Sequence, residues 1–191
     1  QVYAEARPDA VEVFVKDPAR PTAVELFDRA VAFRQDRNVA DGGFGVTANL
    51  VVRRLAFMDA GPFDDTLLSG GDREWCQRMV SAGYEIAYAQ DAVVAHPARR
   101  DPRDLVRKMR RVAGGHHLLA QRRSMRSRLL EVGQIVTPPF RMIGMILTSG
   151  DLDGLNQKIR AAAMAVLNKC AWSCYRVKYL WNGSRSGLPR A

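Results

Sequence analysis

No stretch of this 191-residue sequence reaches the roughly 18 to 20 uninterrupted apolar residues that a bilayer-spanning helix needs, which excludes a bundle of spanning helices. Cysteine is scarce. Cys76, Cys170 and Cys174 are an odd number with no Cys-x-x-Cys pair, which argues against a disulfide framework and a zinc ribbon and suits a reducing compartment. His116 and His117 lie between a basic run and the Cys170/Cys174 pair without the spacing of a metal site. Internal repeats and low-complexity linkers are absent. The sequence starts at Gln1 rather than a methionine and opens straight into domain-like sequence, so the true beginning is expected upstream.

Acidic residues are few in one half only. Residues 1–96 hold 15 Asp/Glu and 10 Lys/Arg, whereas 97–191 hold 5 and 19, so two functional zones are expected. Within the second zone, residues 99–128 carry 11 basic side chains and two acidic ones. That density attracts phosphates on lipid headgroups, nucleotide diphosphates or nucleic acid; otherwise it is a solvated helix face. Nucleic acid is disfavoured because aromatics are not interleaved for base stacking and no reading motif surrounds the run.

A hydrophobic share of 47% is enough for a packed core. VEVFVK (residues 11–16) alternates as a strand does and is ended by Pro18 and Pro21. Thr22 and Glu25 then form a capping-box pair opening a helix, with Val24, Phe27 and Val31 on its core face before the polar stretch RQDRN. DGGFG reads as a turn into a buried strand, VTANLVVRR, and AGPFDD as a second turn. Residues 72–82 read as a helix stopped by Gly83, with Trp75, Cys76, Met79 and Val80 at helical spacing. YEIAY and AVVA read as short strands.

Beyond His96 the pattern changes to an amphipathic basic helix with an Asp101 N-cap and Pro102 at its first position, expected to break at Gly114-Gly115. Two apolar stretches follow, IVTPPFRMIGMIL and IRAAAMAVLNKCAWSCYRVKYLW. Their Trp, Tyr and basic content suits either an interfacial helix or packing on the preceding layer. The alternation in residues 1–100 and the helical pattern in 101–191 predict an α/β domain followed by a basic helical extension.

Between Gly45 and Arg99 a set of short pieces occurs in order: GVTANLVVRR, AGPFDD, GGDREWCQRM, AGYEIAY and DAVVAHPAR. Jointly they resemble the acceptor-side half of the inverting family 2 glycosyltransferases of the GT-A fold. The resemblance implies a partial GT-A-like mixed sheet with flanking helices, and Asp72 as the general base that takes the acceptor proton. Members of the family usually have Glu-Asp where this sequence has Gly71-Asp72, so any acceptor contact made by that glutamate is missing. An acidic residue here would also cap a helix start, and both roles can hold at once.

The resemblance implies further roles. His96 is a candidate metal or diphosphate ligand, against a structural role at a strand end. Trp75 is an acceptor platform or a core residue, with Glu74 beside it at the acceptor. Asn49, Arg53 and Arg99 are candidate donor-side contacts, while Arg78 is expected to tie its helix to a neighbouring carboxylate or carbonyl. The nucleotide-binding half of the family, with the Asp-x-Asp that grips the divalent ion, Mg or Mn, has no counterpart. Asp151-Leu152-Asp153 matches that pattern in letters only and reads as a turn or helix cap.

The expected function is therefore part of an enzyme moving a sugar from a nucleotide-sugar donor to a saccharide or lipid-linked acceptor. It would work in the cytoplasm, peripheral to the inner face of an anionic membrane, and would be inactive as an isolated chain. The alternatives are a non-catalytic membrane-surface adaptor and a basic nucleic-acid-binding module.

Overall fold

The computed structural model describes residues 6–122 and 132–182. Among them the chain is mixed α/β and divides into two compact units. The first comprises residues up to Phe14, Ala32–Thr66 and Gly70–Pro97; the second comprises Val15–Val31, Leu67–Ser69 and the chain from Ala98.

The first unit is built on a three-stranded sheet of order β2-β1-β3, with β1 at Ala6–Phe14, β2 at Leu50–Val52 and β3 at Ala89–Pro97. β1 runs antiparallel to β2 and parallel to β3, with Val13 opposite His96. The alternation expected for VEVFVK is present: Val13 and Val15 are buried while Glu12, Phe14 and Lys16 are exposed. The strand itself begins earlier and ends at Phe14.

The other strand expectations need correction. VTANLVVRR is not a buried strand; Thr47–Asn49 form a 3-10 turn, only Leu50–Val52 extend, and Val51 is exposed. YEIAY is not a strand, and AVVA belongs to one continuous strand, β3, that runs through Gln90 and Asp91. Two short helices went unforeseen in this region. The helix here called α2, Gln35–Gly42, follows α1 (Ala23–Val31), and α3 spans Arg54–Ala60. α2 ends at Gly43, whose left-handed φ of 59° lets its N–H close on the helix carbonyls.

α4, Gly71–Ser81, matches its expected helix, and Gly83 follows it at a φ of 90°. Trp75, Cys76 and Met79 are buried with Ala56, and Phe44, Leu50, Val52, Tyr84 and Ile86 pack around them. Val80, expected beside Cys76, is exposed.

In the second unit, α1 packs with the helices α5 (Pro102–Gln121), α6 (Phe140–Thr148) and α7 (Gly154–Asn182) around a core of Val24, Leu26, Phe27, Leu105 and Ile146. The Thr22–Glu25 capping box is formed in both directions: Glu25 N–H donates to Thr22 Oγ1 at 3.2 Å and Thr22 N–H to Glu25 Oε2 at 2.9 Å. Asp101 caps α5 by accepting from Arg103 N–H at 2.7 Å, with Pro102 in the first turn.

Gly114 and Gly115 do not break α5, which runs through them to Gln121. They serve close packing: a Cβ on Gly115 would run into the Ser69 backbone, and one on Gly114 would lie 3.1 Å from Leu68 Cδ1. The basic continuation toward Arg128 lies mostly outside the described residues. Asp151 and Asp153 sit in the turn before α7, where Ser149 Oγ donates to Asp151 at 3.0 Å.

Candidate functional site

Asp72 stands in the first turn of α4, which starts after Gly70 in the left-handed conformation and has no side-chain cap. Its Oδ1 accepts the Arg73 N–H at 2.8 Å, so the carboxylate satisfies one of the helix's unpaired donors. The residue is half-buried, neither sealed in the interior nor fully solvated. The side chain thus bonds the N–H of the next residue inside the first turn rather than capping the helix from its N-cap position.

The helix beneath it is held firmly. The Trp75 indole N–H donates to the Gly61 carbonyl at 2.7 Å, and its ring packs on Phe63 and Phe57, with centroids at 5.1 and 5.6 Å. Arg78 spans the same loop, donating to the carbonyls of Ala60 and, at 2.8 Å, Pro62, while its Nε meets Glu74 Oε1 at 2.7 Å. The expected tying role of Arg78 is thus met twice over. AGPFDD is the loop that these contacts strap along α4.

Trp75 is fully buried, which is the core role of the two expected for it; no face is left for a sugar to stack on. Glu74 is bound by Arg78 through both carboxylate oxygens, so its charge is already partnered. Gly71 needs no special backbone, since a Cβ there would rest 3.9 Å from the Asp64 carbonyl in ordinary contact. The glutamate missing from this position is therefore not excluded by packing.

Asn49 ends the 3-10 turn and donates through Nδ2 to the Ala92 carbonyl of β3 at 3.3 Å. That turn is set by buried Gln35, whose amide bridges Val46 N–H at 2.8 Å and the carbonyls of Val46 and Asn49 at 3.0 and 3.1 Å. Arg53 is exposed at the start of α3. His96 lies in β3 with Nδ1 2.9 Å from the Pro97 carbonyl and its ring 4.5 Å from that of Phe33. Phe33 holds a φ of 51°, a costly conformation for a bulky side chain. Among the described residues no group of three His, Cys, Asp or Glu converges to hold a metal ion, so His96 by itself makes no metal centre.

Arg99 belongs to the second unit, where its Nη1 and its backbone N–H both donate to Asp28 Oδ2, at 2.8 and 3.1 Å. Arg100 pairs with Glu25 at 3.3 Å. The carboxylates of Asp28 and Glu25 are buried in α1, so these arginines neutralise interior charge. The expected donor contact by Arg99 competes with that pairing.

Two features escaped sequence reasoning. Arg73 lays its guanidinium 5.4 Å from the Phe44 ring centroid and buries Nε without a partner among the described residues. Cys76, one turn past Asp72, directs its thiol at the Gly45 carbonyl, 3.7 Å away. Burial pushes that thiol above its ordinary range, against a smaller lowering by the Gly45 backbone, and the charge of Asp72 raises it further. Only the helical spacing from 72 to 76 hinted at the second.

The chain is 30% identical over 164 residues to the Glycosyltransferase AglE of Haloferax volcanii, a match over 82% of this chain and 52% of that protein. It is also 37% identical over 76 residues to the Pre-mycofactocin glycosyltransferase of Mycobacterium tuberculosis, covering 40% of this chain and 16% of that protein. The chain thus spans about half the length of the Haloferax relative and a smaller share of the mycobacterial one. No family model matches, and no solved structure matches. The chain is homologous to glycosyltransferases.

Proposed function

We propose that this chain is the acceptor-side portion of an inverting family 2 glycosyltransferase of GT-A type, with Asp72 as its general base. The observation that carries the reading is homology to glycosyltransferases over most of the chain, combined with a half-buried carboxylate on a strapped helix terminus. In the reaction, the Asp72 carboxylate takes the proton of an acceptor hydroxyl as that oxygen attacks the anomeric carbon. The bond from the anomeric carbon to the nucleoside diphosphate breaks on the opposite face, and the configuration inverts. The strapped α4 supports this step by fixing where the carboxylate stands, which is the larger part of what a positioned base contributes.

The donor is read as a nucleotide sugar and the acceptor as a saccharide or lipid-linked saccharide. Among the described residues no group of three His, Cys, Asp or Glu comes together to hold a divalent ion. The 19 Lys/Arg against 5 Asp/Glu in residues 97–191 support work at an anionic membrane surface, on its cytoplasmic side. No helix among the described residues is long and apolar enough to cross a membrane.

Asp72→Asn in the gene product containing this chain tests the base. The reading expects kcat to fall by about 100-fold or more with donor affinity retained, and Asp72→Glu to recover part of the loss. Undiminished turnover by the asparagine variant would remove Asp72 from the mechanism. The isolated chain is expected neither to bind a nucleotide sugar tightly nor to transfer one.

A further inference from the structure

α7 has two apolar faces. One packs on α1, α5 and α6 through residues such as Ala161 and Ala165. The other is turned to solvent and is lined by Leu155, Ile159, Val166, Cys170, Val177 and Trp181, with Trp181 87% exposed and Leu155 68%. At 100° per residue these six fall within about 80° of arc over a helix about 43 Å long. Soluble helices show the reverse, a polar face outward, so an apolar face of this length signals something that covers it.

Charge indicates what does. Residues 154–182 contain no Asp or Glu. On the helical projection, Arg160 and Lys178 border the stripe on one side and Lys158 and Lys169 on the other. None of these four enters an ion pair among the described residues; Lys158, Arg160 and Lys169 donate to the carbonyls of Leu147, Pro21 and Gln134, and Lys169 also lies 4.3 Å from the Trp172 ring centroid, contacts that leave their charges without an anionic partner. A second copy of α7 laid against the stripe would bring like charges together at both borders. An anionic lipid interface instead offers acyl chains to the stripe, phosphates to its borders, and the headgroup level that exposed Trp181 favours.

We infer that the outward face of α7 is a lipid-docking surface, lying in the plane of an anionic membrane with its apolar stripe inserted and its basic borders on headgroup phosphates. The inference deepens the membrane-surface part of the proposed function and is independent of the chemistry assigned to Asp72. It also places Cys170, midway along the stripe, at the acyl boundary, where it reports on insertion. Cys174 is exposed one turn further on, and Cys76 is buried in the other unit.

The experiment is maleimide labelling of the full chain with vesicles of equal parts phosphatidylglycerol and phosphatidylcholine, alongside flotation on the same vesicles. The expected result is co-flotation together with a slowing of Cys170 and Cys174 labelling by about tenfold or more, neither occurring with pure phosphatidylcholine. Ile159→Glu combined with Val177→Glu, both at exposed positions, should abolish flotation while leaving the melting temperature unchanged. Flotation with labelling rates unaltered would sink the α7 surface yet keep membrane binding through the basic run. Absence of flotation would sink both. Protection without lipid, accompanied by a doubled mass in solution, would assign the stripe to a second copy of the chain and overturn the inference.

Discussion

The indole N–H of Trp75 reaches the carbonyl of Gly61 at 2.7 Å, joining the buried face of the helix that bears Asp72 to a loop fourteen residues earlier. Because the ring is fully enclosed, truncation removes both packing and a satisfied polar pair. Trp75→Ala should cost about 3 to 5 kcal/mol, and Trp75→Phe, which keeps most of the packing and leaves the carbonyl unpaired, about 1 to 2. Urea unfolding measures both; a loss for Trp75→Ala under about 1 kcal/mol would mean that the ring is not the centre of this core.

Two glycines should respond in opposite directions to the same substitution. Gly115→Ala drives a methyl group into the Ser69 backbone and should destabilise by about 1 to 3 kcal/mol. Gly71→Ala meets only ordinary contact at a helix start and should stabilise by about 0.5 kcal/mol through the unfolded chain. Thermal melting of the pair is the check.

Arg99 tests whether a basic side chain serves the interior or a ligand. Its pairing with buried Asp28 means that Arg99→Met takes the ion pair from a buried carboxylate that keeps the residue-99 backbone N–H on one oxygen and the charge of Lys108 nearby, while its other oxygen lacks a hydrogen-bond partner among the described residues. The expected loss is about 3 kcal/mol, largely recovered in the double variant with Asp28→Asn. A stable single variant would return Arg99 to the candidates for donor contact.

His117 sets a pH dependence. Burial lowers its imidazole below the ordinary value of 6.5, and the charge of Arg176 adds to the shift. The unfolded chain therefore takes up this proton at a higher pH than the folded one. The His117 contribution is complete above about pH 6.5 and is lost progressively as pH falls below it. His117→Gln should flatten the decline in melting temperature between about pH 7 and 5; an unchanged slope would show that other groups govern it.

Signals confined to a few neighbouring residues were legible from the sequence. The Thr22–Glu25 box, the Asp101-Pro102 start of α5 and the Trp75-Cys76-Met79 spacing of α4 each depend on contacts within one helical turn, and each formed as read. Strand extents were not legible, because they depend on which edges pair: YEIAY has the composition of a strand, but the strand that pairs with β1 in this region is Ala89–Pro97. Gly114-Gly115 look like a break in any local reading. They lie inside α5, where the Ser69 backbone, 46 residues before Gly115, leaves no room for a Cβ on that residue and Leu68 crowds one on Gly114.

What the sequence by itself determined is the helix starts, the charge division between the two halves, and Asp72 at the head of a helix, since these follow from residue type and spacing. What only the tertiary structure decided is the occupation of each side chain. Trp75 was claimed by Gly61, Arg78 by the carbonyls of Ala60 and Pro62, and Arg99 by an aspartate 71 residues away. The outward apolar face of α7 was decided in the same way. Long-range contacts settle such matters because a buried charge or donor takes whichever partner the folded chain brings within about 3 Å, and sequence distance sets no limit on that choice.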